Sequence, residues 1–109
     1  MADVKLRVTP SVAQVLAALL SAPDADHYGM QLMEATDLPS GTLYPILVRL
    51  DKADWVTTAW EDIDPREAGR PARRYYTLTP DGAELARAAL TKLYRALSDV
   101  PGVGKPRTV

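Results

Sequence analysis

A proline stands inside the most helix-like stretch of this chain. Residues 39–50 read PSGTLYPILVRL, and their apolar spacing runs on through Lys52 and Ala53. In a helix interior a proline costs about 3 kcal/mol, because it removes a backbone donor and crowds the carbonyl four residues back. At about 100° per residue, Leu43, Ile46, Leu47 and Leu50 fall on one side and form a core edge. Gly41, Pro45, Val48 and Lys52 fall opposite, with Tyr44 on one flank and Thr42 and Arg49 on the other. Pro45 is only a few residues past a start at Ser40–Thr42, where most N–H groups have no intrahelical partner. With Thr42 as N-cap no bond is lost; with Ser40 as N-cap one is. Gly41, at the crowded position, eases the ring clash. The proline therefore marks where a helix begins. That beginning offers Ser40, Thr42, Tyr44 and unpaired N–H groups around a rigid apolar ring. Such an end can take a phosphate, set hydroxyls against a nucleic-acid groove and touch a thymine methyl. The plainer reading makes Tyr44 and Pro45 local packing.

The rest of the pattern gives that helix its neighbours. A first helix runs from Thr9 or Pro10 to Ser21, with Val12, Val15, Leu16, Leu19 and Leu20 as an apolar stripe. A short second helix covers His27 to Thr36, with Tyr28, Leu32 and Ala35 inward, and "DLP" turns tightly into the third. After Asp54 the alternation in WVTTAWEDI reads as a strand, DPREAGRP as a loop and ARRYYTLT as a second strand, so the two pair as a hairpin. Thr79 caps a last helix whose first residue is Pro80. Three helices, a hairpin and a helix are the layout of a winged helix-turn-helix: a mainly α fold with a small β-hairpin and an added C-terminal dimerisation helix. The boundaries are an N-terminal leader at 1–8, the winged domain at 9–78, the dimerisation helix at 79–99 and a disordered tail at 100–109.

Charge matters at the hairpin. Arg66, Arg70, Arg73 and Arg74 lie within nine positions, and Arg49 and Lys52 on the third helix bring the cations near one surface to six. Glu61, Asp62, Asp64 and Glu67 dilute them, and the whole chain of 109 residues carries a formal charge of −1. Indiscriminate nucleic-acid binding is therefore disfavoured, while a local basic face is not. The chain holds one histidine and no cysteine, so thiolate metal sites, disulfides and histidine- or cysteine-based catalysis lack their parts. No cofactor, metal site or catalytic residue is expected. Asp24, Asp26 and His27 read as solvated turn residues. No signal-peptide layout is present and the apolar run from Val12 to Leu20 is too short for a bilayer, which suits a cytoplasmic protein. Trp55 and Trp60 fall on opposite strand faces, and packing is the preferred role for both.

The stretch YGMQLMEATDLPSGTLYPILVRLDKADWV, followed by GRPARRYYTLTPDGAELA, resembles the PadR-type winged helix-turn-helix transcriptional regulators. The resemblance covers Val12 to Leu97. Its most specific pieces are Tyr28-Gly29, Gly41-Thr42-Leu43-Tyr44-Pro45 and Arg74-Tyr75-Tyr76 with Thr79 and Gly82. It implies a homodimeric repressor, often ligand-responsive, with the third helix in the major groove and the wing at the adjoining minor groove or backbone. On that basis Ser40, Thr42, Tyr44 and Pro45 match recognition-helix contacts, and Arg70, Arg73 and Arg74 match wing contacts. Where the family often has glycine after the recognition helix this chain has Asp54, which tolerates the left-handed conformation.

The last helix argues for a dimer on its own. Leu85, Ala86, Ala89, Leu90, Leu93, Tyr94, Ala96 and Leu97 cover about half its circumference, more than the arc of about 100° that one core needs. Leu90, Leu93, Tyr94 and Leu97 are the expected interface, which Val4, Leu6 and Val8 of the leader can join. The expected function is a sequence-specific regulator, a repressor, that binds double-stranded operator DNA of inverted-repeat form as a homodimer. A small apolar effector is a permitted further partner. The alternative is a winged-helix interaction or adaptor module that does not bind DNA.

Overall fold

Thr9 opens the first helix by accepting a hydrogen bond from the Val12 amide at 3.3 Å, and Pro10 supplies a first residue that needs no partner. From there a computed structural model describes residues 6–103. Val4 and residues 104–109 of the expected leader and tail lie outside them. The elements are α1 Pro10–Leu20, β1 His27–Tyr28, α2 Gly29–Thr36, α3 Ser40–Lys52, β2 Val56–Trp60, α4 Pro65–Ala68, β3 Arg74–Leu78 and α5 Pro80–Ser98. The chain is mostly helical with a small antiparallel sheet of order β1-β3-β2. Val12, Val15, Leu16 and Leu19 of α1 meet Leu32 of α2, the α3 edge and Val56, Tyr76 and Leu78 of the sheet in one core.

Three features differ from the sequence reading. The second helix starts at Gly29, because His27 and Tyr28 pair with Tyr76 and Tyr75 as a third strand. On this helix Gly29, Leu32 and Thr36 form the buried stripe, and Ala35 is exposed. Thr36 is accommodated because its hydroxyl donates to the Leu32 carbonyl at 2.6 Å and accepts from the Leu38 amide at 3.3 Å. The hairpin loop contains the short helix α4, with Asp64 accepting from the Arg66 amide at 2.9 Å as its cap. His27 is not a solvated turn residue, whereas Asp24 and Asp26 are exposed. His27 is buried with Nε2 against the Ala22 carbonyl at 2.9 Å, and Asp26 accepts from the Thr77 hydroxyl at 2.6 Å. Both tie the α1–β1 loop to the fold.

The ends of α3 are held by backbone geometry. Pro39 is the N-cap and its carbonyl accepts from Thr42 and Leu43, each at 3.0 Å. The cap therefore lies one residue before Ser40 and three before Thr42, the two expected caps, and Pro45 forgoes one bond, to the Gly41 carbonyl. Gly41 and Pro45 are both exposed, so water can serve that carbonyl. A side chain at Gly41 would meet open space. At the other end Asp54 takes φ 61°, its amide donates to Asp51 and the Trp55 amide donates to Leu50 at 2.9 Å. This is a Schellman stop with aspartate in the usual glycine place.

α5 is locked to that stop. The Thr79 amide donates to the Trp55 carbonyl at 3.0 Å, the Thr79 hydroxyl donates to Asp54 at 2.8 Å and accepts from the Gly82 amide at 2.8 Å. Gly82 lies so close to the Trp55 backbone that an added Cβ would overlap its carbonyl. Beyond Ala86 no α5 residue is fully buried, and Leu85, Tyr94 and Leu97 are 49%, 56% and 43% exposed. Its outer half shares an open groove of about 440 Å³ with Leu6 and Val8. Gly82→Ala is expected to cost about 1–3 kcal/mol through overpacking and to lower the thermal midpoint by about 4 °C or more. Thermal denaturation followed by circular dichroism checks it; an unchanged midpoint would mean that the α5 start is not held by this approach.

Candidate functional site

Burying Leu43, Ile46, Leu47 and Leu50 fixes what α3 shows to solvent. Ser40, Gly41, Tyr44, Pro45, Val48, Arg49 and Lys52 are exposed and Thr42 is half-buried. Tyr44 is 41% exposed, neither sealed in the core nor free of it. Its ring lies against the start of α2 so closely that a Cβ on Gly29 would overlap the phenol. Gly29 is what allows the two helices of the turn to approach there, and it forms one contact with Tyr44.

The hairpin sets two arginines beside that contact. The β2–β3 register pairs Trp60 with Arg74 and Thr58 with Tyr76. Arg74 donates to the Thr58 hydroxyl at 3.0 Å and its guanidinium lies 5.4 Å from the centre of the Trp60 ring. Arg73 lies 4.7 Å from the centre of the Tyr28 ring, which packs edge-on against Tyr75. Tyr44, Trp60, Arg73 and Arg74 line one open groove of about 420 Å³ between α3 and the hairpin. Cations over aromatic faces are held in place while their charge stays available to solvent. The structure thus brings Tyr44, Arg73 and Arg74 together, with Ser40, Thr42, Pro45, Arg49 and Lys52 displayed along the same helix.

Arg70 is placed differently. It forks onto Glu61, with Nη1–Oε1 at 2.7 Å and Nη2–Oε2 at 3.0 Å, and Nη1 also donates to the Pro71 carbonyl at 3.3 Å. Glu61 accepts further from the Arg73 amide at 3.2 Å and the Tyr75 hydroxyl at 3.1 Å. The Arg70 hydrogen bonds pull the Glu61 carboxyl down to about 2; the Arg73 amide and Tyr75 hydroxyl add to this, and partial desolvation opposes it. Desolvation and the Glu61 carboxylate push the Tyr75 phenol up. This is the one ion pair among the described residues, so of the wing's acidic groups only Glu61 neutralises a wing arginine by direct contact.

Sequence reasoning missed the roles of Glu61, Trp60 and Tyr28. Trp60 is 65% exposed and so is not a packed tryptophan; Trp55, by contrast, packs partly against the core. The available signal was the fixed register of a two-strand hairpin, which puts Trp60 opposite Arg74 and Glu61 beside the returning Arg73. Among the described residues no group of three or more candidate ligands could hold a metal ion, and no helix is long and apolar enough to cross a membrane.

Comparison with known proteins agrees with this architecture. The family model for the transcriptional regulator PadR-like family matches residues 19–88. Among solved structures, smu.1704 from Streptococcus mutans UA159 is 23% identical with a TM-score of 0.64, over 94% of this chain and all of that one. AbfR of Staphylococcus epidermidis is 26% identical with a TM-score of 0.64, over 83% of this chain and 56% of its own. BpsR of Bordetella bronchiseptica, whose DNA binding is regulated by 6-hydroxynicotinic acid, is 23% identical with a TM-score of 0.68, over 94% of this chain and 71% of its own. No curated protein matches the chain.

The lowered Glu61 value can be measured. A carboxyl depressed in the folded state lends stability that is present above its ordinary value of 4.5 and is lost as pH falls through about 2. Carboxyl-carbon NMR titration of the folded protein is expected to show one glutamate titrating near 2, and Arg70→Gln to move it back up toward 4.5. A Glu61 carboxyl that titrates normally in the wild type would show that the fork does not persist in solution.

Proposed function

Because the chain belongs to the PadR-like family of transcriptional regulators, we propose that it is a sequence-specific regulator, a repressor, that acts as a homodimer on operator DNA. The observation that carries this reading is the exposed opening turn of α3 beside a groove flanked by Arg73 and Arg74. A helix buried on its Leu43–Leu50 edge can enter a major groove with only its opposite face, where Ser40, Thr42, Tyr44 and Pro45 meet base edges and methyl groups. Arg49 and Lys52 further along α3, and Arg73 and Arg74 on the hairpin, reach the phosphates.

The dimer reading draws support from α5. Its outer half carries Leu90, Leu93, Tyr94 and Leu97, of which Tyr94 and Leu97 are exposed and Leu93 is half-buried. Apolar side chains so placed gain by covering one another, at about 25 cal/mol per Å² removed from water. A two-fold pair sets two α3 helices about 34 Å apart, which suits an inverted repeat read on one face of the duplex. Bound there, the dimer blocks a promoter by occupancy. A small apolar effector would act by favouring a dimer with a different separation of the two heads.

Fluorescence anisotropy against the DNA upstream of the protein's own gene tests the reading, with a random duplex as control. Tyr44→Ala is expected to weaken operator binding on the order of tenfold while leaving random DNA nearly unchanged, as for loss of one base contact. Equal losses on both duplexes would contradict the role given to Tyr44. Leu97→Asp is expected to keep the helical circular dichroism, yield monomers in sedimentation and weaken operator binding in parallel. A Leu97→Asp protein that stays dimeric would place the interface elsewhere.

A further inference from the structure

We propose that Glu61 is the positioning residue of the wing and that Arg70 acts through it, making no phosphate contact of its own. The inference rests on the DNA-binding reading and refines it. Glu61 and Arg73 are the two ends of the loop that carries α4. Their backbones are joined by the Glu61 amide donating to the Arg73 carbonyl at 2.7 Å. The Glu61 carboxylate then closes the loop from the side, with both oxygens on the Arg70 fork and further bonds from the Arg73 amide and the Tyr75 hydroxyl. Its side chain is only 14% exposed.

Arg73 and Arg74, the cations that flank the α3 groove, follow directly from this anchored end. Arg73 has its amide on Glu61 and its guanidinium over Tyr28, and Tyr28 packs on Tyr75, whose hydroxyl also reaches Glu61. One carboxylate therefore fixes the backbone from which the wing's free charge is presented. Arg70 cannot leave for a phosphate without stranding that carboxylate beside a polyanion. Both terminal nitrogens of its fork are already engaged, and a bidentate guanidinium–carboxylate pair is geometrically specific in a way that an ammonium cannot copy.

Two simple views predict the opposite of this one. If charge alone counted, removing Glu61 would take a negative group off the DNA-facing surface and tighten binding. If Arg70 held a phosphate, Lys would replace it well, and Ala would lower the salt dependence of binding. As a positioning pair, Glu61→Gln and Arg70→Ala should each weaken operator binding by roughly tenfold, the scale of one charged hydrogen-bond set. Arg70→Lys should fail to restore it, and the double variant should be no weaker than either single one.

The experiment measures binding of the full chain to its upstream duplex by anisotropy across a salt series, with amide hydrogen exchange on the same proteins without DNA. The slope of log affinity against log salt should stay unchanged in Arg70→Ala and fall by about 1 in Arg73→Ala, which loses a phosphate contact. Exchange at the loop amides, Arg73 above all, should quicken in Glu61→Gln and Arg70→Ala while α3 amides keep their protection. Tighter binding by Glu61→Gln would overturn the proposal. So would an Arg70→Ala slope lowered by about 1 with Arg70→Lys restoring affinity, and so would loop exchange that does not change. If wild-type protein binds no duplex, the DNA-binding reading fails by itself, and with it the role given to the pair on DNA, while the exchange measurement still decides whether the pair holds the loop.

Discussion

Everything this chain displays depends on one helix burying its inner edge completely. Leu43, Leu47 and Leu50 are fully enclosed, Ile46 nearly so, and each such side chain contributes about 1.5–3 kcal/mol by leaving water. With that edge committed, the rotation of α3 about its axis is no longer free. Ser40, Tyr44, Pro45, Val48 and Lys52 must then face outward. The position along the axis is equally constrained. Asp37 in the left-handed conformation ends α2, Pro39 caps α3, and Asp54 at φ 61° ends it. A reading helix needs both constraints, since a turn of a few tens of degrees or a slip of one residue would present a different set of side chains.

Much of this was legible in the sequence because it rests on local, periodic or stereochemical signals. The apolar edge of α3 repeats at the helical period. Pro45 is tolerable only near a helix start, and aspartate is among the few residues that suit the conformation observed at position 54. Thr79, Pro80 and Gly82 announce a capped helix. What escaped reading depends on partners distant in sequence. The strand at His27–Tyr28 is two residues long and exists only because Tyr75 and Tyr76 of β3 lie beside it. His27 is buried because the α1–β1 loop folds its Ala22 carbonyl back onto the ring. The Glu61–Arg70 fork joins residues nine apart across a loop that no periodicity describes. Among the candidate contacts, the sequence could place Arg73 and Arg74 on the hairpin but could not separate them from Arg70, since all three look alike until the fork is seen.

The charge of the molecule is sorted by geometry and not by composition. Thirteen cationic and fourteen anionic side chains nearly cancel over the chain. Yet Arg49 and Lys52 on α3, and Arg73 and Arg74 at the loop end of the hairpin, are all exposed. Asp64 is engaged as the cap of α4, and Asp26 holds Thr77 in the sheet. Both carboxylates thus serve structural roles, on a chain whose formal net charge is −1. For the proposed DNA binding, such a net charge offers little non-specific attraction to a polyanion, so discrimination would rest on the α3 turn and on how firmly the hairpin is held.

Those two elements are not independent. Tyr44 on α3 rests on Gly29, the first residue of α2, and its neighbour Tyr28 carries Arg73 on its ring face. Tyr28 also pairs with Tyr75, whose hydroxyl meets the carboxylate that closes the hairpin loop. A continuous line of contacts therefore runs from the reading turn through the start of α2 to the wing. Each link is short and mostly aromatic, and aromatic side chains have few rotatable bonds to lose on ordering. In the proposed complex, where Tyr44 and Arg73 meet adjoining parts of one duplex, a fixed mutual spacing counts for more than any single strong contact, because misplacing either one forfeits both.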